Sequence, residues 1–226
     1  MTTAYHPTPD TPHLTVRGQA HLEVDPDIAR IGVTVHARGA DRAVTLADLT
    51  RRNGQVLELL KSYGDAVEKP ETGRFSIGPE PRRGRAERPT VYRGQVRVTA
   101  ELADFTTLGE LTARLSDLEQ TSVDGPWWAL RHDAPAYAEA RRLAVTEAVR
   151  RARAYAGALG SSLAALLELS DTESSPPSAL RHVSGGVHMA FAGEGAEELP
   201  SLDLEPQRQT VTAEVTARFT ITPPAL

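Results

Sequence analysis

The stretch PAYAEARRLAVTEAVRRARAYAGALG, from Pro135 to Gly160, constrains the fold more than any other part of this sequence. Tyr137, Ala140, Ala144, Ala148, Ala152, Tyr155 and Leu159 recur at steps of three or four, the spacing that keeps side chains on one face of an α-helix. No other periodic run is as long. Because the face is mostly alanine, the helix axis can approach a sheet more closely than a leucine face would allow, and the contact is broad rather than deep. Asp133 is expected to cap this helix, with Pro135 in the first turn, where a missing amide donor costs nothing. Arg141, Arg142, Arg150, Arg151 and Arg153 lie mostly off the alanine stripe and read as a solvated side.

The segments before it alternate with the period of β-strands. Leu14, Val16, Ala20, Leu22 and Val24 form one strand, with a bulge expected at Gly18. Asp25-Pro26-Asp27 reads as a turn, and Ile31, Val33 and Val35 as the returning strand of a β-hairpin, Leu14 to Ala37. Asp41 is a fitting N-cap for a helix reaching Tyr63, with Ala43, Leu46, Leu49, Val56, Leu57 and Leu60 on its apolar face, Asn53 among them and Gly64 just past its end. Strands follow at Arg74 to Ile77 and Val91 to Leu102. Asp104 is expected to cap a shorter helix through Leu118, its stripe being Leu108, Leu111, Leu115 and Leu118.

The segment from Ser122 to Arg131 reads as a strand, so Trp127 and Trp128 point to opposite faces, one into the core and one outward as a candidate interface anchor. After Gly160 a short apolar strand runs from Leu163 to Ser170, and Thr210 to Ile221 closes the chain with six alternating apolar positions. Residues 171–207 lose all pattern and read as a flexible loop whose one apolar island, Met189-Ala190-Phe191, is a candidate contact. Residues 1–12, with three prolines, read as a mobile tail ahead of a single domain, 13–222. The expected class is α+β: an antiparallel-rich sheet of about six to seven strands, ordered hairpin, helix, two strands, helix, strand, long helix, two strands, with the three helices packed on it.

Chemistry is sparse. The chain has no cysteine, which removes disulfides, thiolate zinc sites and thiol redox reactions together. It contains no GxSxG elbow, no GxxxxGK[ST] phosphate loop, no GxGxxG opening a helix and no HExxH. His132-Asp133 sits at a strand-to-helix junction, and His182 and His188 bring no third metal ligand near them in sequence. The arginines of GPEPRRGRAERPT, namely Arg82, Arg83, Arg85 and Arg88, form a candidate basic patch, but two glutamates lie nearby and no aromatic is interleaved, so a solvated hairpin tip is the better reading. A formal charge of −5 speaks against a general nucleic-acid surface. No run approaches the ~20 apolar residues of a membrane span, and the first residues lack the ~7–15 apolar run of a secretory signal, so cytoplasm is the expected compartment.

In order and spacing, VRGQAHLEVDPDIARIGVTVHARG, LELLKSYG, YRGQVRVTAELADFTTLGEL, EARRLAVTEAVRRARAYAGALGSSLAALLELSD and TVTAEVTARFTI resemble the SIMPL domain family across most of residues 13–222. The resemblance implies an α+β fold, a tendency to homo-oligomers and no catalytic residue set, with some members associated with stress defence and others with signalling complexes. It brings no cofactor. Many members resemble exported proteins, and the glycine often found after the proline before the last strand is absent here, where the text is EPQRQ. The leading expectation is therefore a non-enzymatic, self-associating binding or scaffold module with a possible protein partner. The alternative is a small-molecule-binding or hydrolytic enzyme with a pocket between the long helix and the sheet.

Overall fold

The first and last alternating runs of the chain find each other across nearly its whole length. In the computed structural model, which describes residues 6–80, 91–171 and 204–225, β1 (His13–Val24) pairs antiparallel with β7 (Gln209–Ile221) in unbroken register from His13 opposite Thr220 to Val24 opposite Gln209. Between them come β2 (Ile28–Gly39), α1 (Arg42–Ser62), β3 (Val67–Pro79), β4 (Tyr92–Leu102), α2 (Leu108–Ser116), β5 (Thr121–Ala129), α3 (Pro135–Ala158) and β6 (Leu163–Asp171). The expected α+β class holds, and the about six to seven strands expected are seven among the described residues, all paired antiparallel, with three α-helices. The strands divide between two sheets, ordered β1-β7-β6 and β3-β4-β2-β5. The expected hairpin does not form: β2 pairs with β4 and β5 instead. Each sheet belongs to its own compact unit, the first built from residues before Asp25, after Arg131 and from Gln209 onward, the second from Asp25–Arg131 with 204–208.

In the first unit α3 lies on β1 and β7. Its buried positions are Ala140, Ala144, Ala148, Ala152 and Ala156, one every fourth residue, and they meet Val16, Ala20, Val211, Ala213, Val215, Ala217 and Phe219. A strict four-residue step drifts by about 40° per turn, so the buried line winds around the helix. Tyr155 and Leu159 fall off that line and are exposed, contrary to the expected stripe. Gly18 is not at a bulge. A Cβ there would stand 2.1 Å from the Ala144 carbonyl oxygen and 2.6 Å from the Ala148 nitrogen, so the glycine is where helix backbone rests on strand backbone.

The ends of α3 differ in how they stop. Ala134 takes the N-cap position without a side-chain bond, so Asp133 is not the cap, while Pro135 does occupy the first turn. At the other end Ser161 N–H donates to the Ala156 carbonyl at 2.8 Å and Gly160 N–H to the Gly157 carbonyl at 3.0 Å. With Gly160 at φ +66°, this is a Schellman stop that satisfies two orphan carbonyls.

In the second unit the inward residues of β2 and β4, among them Ile31, Val33, Val35, Val96, Val98 and Leu102, are covered by Leu49, Val56 and Leu60 of α1 and Leu108, Leu111 and Leu115 of α2. Asp41 caps α1 as expected, its Oδ1 accepting from the Ala43 and Val44 amides at 2.8 and 3.0 Å. Gly64, at φ +55°, follows the helix end. Ala43 and Leu46 are exposed and Thr45 is buried in their stead, because its hydroxyl donates to the Asp41 carbonyl at 2.6 Å over the space left by Gly39. Asn53 is half-buried at the rim of the core, and its Oδ1 has no hydrogen-bond partner among the described residues.

Asp104 does not cap α2. It accepts from the Thr106 amide at 2.9 Å and hydroxyl at 2.6 Å, closing the turn before the helix, and these bonds hold its carboxyl below the usual carboxylate range. β3 is far longer than Arg74 to Ile77. Its register slips twice against β4 and its residues are mostly exposed, which erases the alternation that would have marked it.

Candidate interaction site

β5 sends its two tryptophans to opposite faces. Trp128 packs on the core of the second unit, edge-on to Phe105 with ring centroids 4.9 Å apart, and Trp127 faces outward, 40% exposed. The outward ring is held. Arg97 on β4 lies two strands from β5, a span of about 9–10 Å at ordinary strand spacing, and its side chain must cross β2 to get there. It crosses over Gly32, where a Cβ would stand 2.3 Å from its Nη2. At the far side Nη1 donates to Asp124 Oδ2 at 2.9 Å, and the guanidinium carbon sits 5.7 Å from the Trp127 ring centroid. An exposed cation–π contact contributes about 0.5–1 kcal/mol, enough to favour one ring position.

The same face carries charges of both signs. Glu68 and Glu101 lie directly opposite on β3 and β4, a like-charge pair that is offset from both sides. Arg30 reaches Glu101 at 2.8 Å and Lys69 approaches it at 3.8 Å, while Arg131 grips Glu68 with two bonds of 2.8 Å. The Arg131 hydrogen bonds draw the Glu68 carboxyl below its usual range. On β2, burial first and then the charge of Arg93 push His36 below the ordinary histidine value, favouring the neutral ring.

A second exposed surface belongs to the first unit. β6 pairs with β7 so that Leu163 faces Ile221, Leu166 faces Phe219 and Leu169 faces Ala217. Opposite residues share a face, so these leucines point to the side on which α3 lies. Register shifts after Leu163 and after Leu166 bring every third residue, rather than every second, onto that face. Yet α3 covers β1 and β7, and Leu166 and Leu169 remain 54% and 46% exposed on the strand that is the sheet's edge among the described residues. The opposite edge is treated differently: Arg151 of α3 donates to the Arg17 carbonyl of β1 at 2.9 Å.

Of the residues singled out from sequence, Trp127 is the outward ring and Trp128 the inward one. Met189, Phe191, Arg82, Arg83, Arg85 and Arg88 lie outside the described residues, as do His182 and His188. His132 and Asp133 are exposed, and among the described residues no three His, Cys, Asp or Glu side chains are grouped to hold a metal ion. Sequence reasoning missed the bridge of Arg97 over Gly32, although a glycine inside a clean alternation was a signal of close approach. It found β6 as a short apolar strand but not its exposure, since an apolar run carries no mark of whether a neighbour covers it. These surfaces carry paired ions, an outward aromatic ring and half-exposed leucines.

The fold is thus that of an α+β protein with two antiparallel sheets, one under a long alanine-faced helix and one under two shorter helices. The chain belongs to the SIMPL family, described as a protein of unknown function (DUF541), whose family model matches residues 14–219. Comparison with curated proteins returned no match.

Proposed function

We propose that this SIMPL chain is a non-enzymatic protein that associates with copies of itself and serves as a binding or scaffold module. The observation that carries the reading is the edge strand β6, which holds Leu166 and Leu169 half in water beside a helix that covers its neighbours. Exposed apolar edge strands invite pairing with another chain. The enzyme alternative placed a pocket between the long helix and its sheet. The close approach of α3 at Gly18 weighs against it, because a gap that cannot admit even a methyl group at that point leaves no room there for a ligand. The association of some family members with stress defence gives the search for partners a direction. Light scattering tests the core claim: a species larger than 24.4 kDa is expected, and a strict monomer at working concentration would refute it.

A further inference from the structure

Resting on the self-association reading, we infer that β6 is the seam between copies, with two chains pairing antiparallel about a two-fold axis through Leu166. A two-fold contact must be self-complementary, since each residue meets its mirror position in the second copy. Centred on Leu166, the pairing sets that residue against its own counterpart and Leu163 against Leu169 of the second copy. All three lie on the α3 side of the sheet, so the exposed leucines cover one another. The acids do not collide. Glu168 falls opposite Ala164 of the second copy and is already held by Arg218 of its own sheet at 3.4 Å, while Asp171, at the end of β6, falls beyond its far end.

The other edge of the same sheet is a poorer seam. The Arg17 carbonyl of β1 is taken by Arg151, and Arg17 itself bridges to Glu214 at 3.2 Å. No side chain of the described residues occupies the outer backbone groups of β6. The Trp127 surface is also a weaker candidate, because its guanidinium and carboxylate already satisfy each other. Joining two copies through β6 would turn a three-stranded sheet into a continuous six-stranded one, β1-β7-β6 followed by the same strands in reverse.

The absence of cysteine makes a direct test possible, because Leu166→Cys would carry the only thiol in the chain. Paired strands hold opposite Cα atoms about 4.5–5.5 Å apart, within the range a disulfide spans. In a preformed seam the effective thiol concentration is about 1 mM, so at about 10 μM protein the oxidised dimer should form about a hundredfold faster than from Trp127→Cys. Leu169→Arg should return the assembly to a monomer with an unchanged circular dichroism spectrum. Three results would overturn the proposal, each in a distinct way. An assembled wild type in which Trp127→Cys cross-links faster, or both variants equally, refutes the seam and leaves self-association standing. A monomeric wild type refutes both readings. A monomer whose Leu166→Cys thiol resists alkylation would show that this chain's own residues cover β6.

Discussion

Replacing Gly18 by alanine asks whether the helix can leave its sheet. The added methyl would sit 2.1 Å from the Ala144 carbonyl oxygen, 2.6 Å from the Ala148 nitrogen and 2.7 Å from the Ala148 Cβ. None of these atoms can rotate away, so α3 must rise by about 1 Å, a gap that forfeits a quarter to a half of each dispersion contact it spans. Five alanine methyls are buried along the stripe. At about 0.8 kcal/mol each, losing up to half of their burial costs about 2 kcal/mol, within the range of overpacked cores. Against this, alanine narrows the unfolded ensemble and returns about 0.4–1 kcal/mol. The loss wins, and a net destabilisation of about 1–2 kcal/mol is expected. Urea unfolding followed by far-ultraviolet circular dichroism should show the midpoint lower by roughly 0.5–1 M with an unchanged slope. The double variant Gly18→Ala/Ala148→Gly should not recover, because the first collision is with backbone. An unchanged or raised midpoint for Gly18→Ala would refute the argument.

Gly32→Ala makes an instructive contrast: its methyl meets the end of the Arg97 side chain, which can swing aside, so the cost should stay below about 1 kcal/mol while the altered tryptophan fluorescence reports the broken Arg97 bridge. Gly54, inside α1 with nothing within 4 Å of an added Cβ, should accept alanine with a gain of about 0.5–1 kcal/mol, read as a raised denaturation midpoint. Arg131 holds the Glu68 carboxyl below its ordinary range in the folded chain, so the unfolded chain binds the proton more readily and the pair stabilises the fold above the ordinary value of 4.5. The stability difference between wild type and Glu68→Gln should therefore be full at about pH 6 and shrink as pH falls toward about 3, measured by urea midpoints at each pH. His36 is shifted downward by burial and then by Arg93, so its contribution is present above the ordinary 6.5 and lost on acidification, and His36→Gln should flatten the pH dependence of the midpoint between about pH 7.5 and 5.5.

Local periodicity in this sequence was sufficient for most of the elements, though not for the full length of β3. The alanine stripe announced α3, alternation announced β1, β2, β4 and β7, and Asp41 and Gly64 bracketed α1, because capping and face-sharing depend on residues within a few positions of one another. Alternation states which side of a strand is buried and is silent on what buries it. The adjacent runs around Asp25-Pro26-Asp27 looked like hairpin partners, yet β1 chose β7, almost two hundred residues away, and β2 went to the other sheet. Gly18 could be read as a bulge or as a close approach, and only the helix above it decided. Asp104 and Asp133 had the right chemistry for caps, but the helices began a few residues later, where backbone geometry and proline set the start. The candidate surface followed the same division. That one tryptophan of the pair would face outward was fixed by the period of a strand. Which one, what holds it, and that none of the described residues covers the outer side of β6 depended on where α3 and Arg97 came to rest, since burial belongs to the neighbours a residue acquires in space.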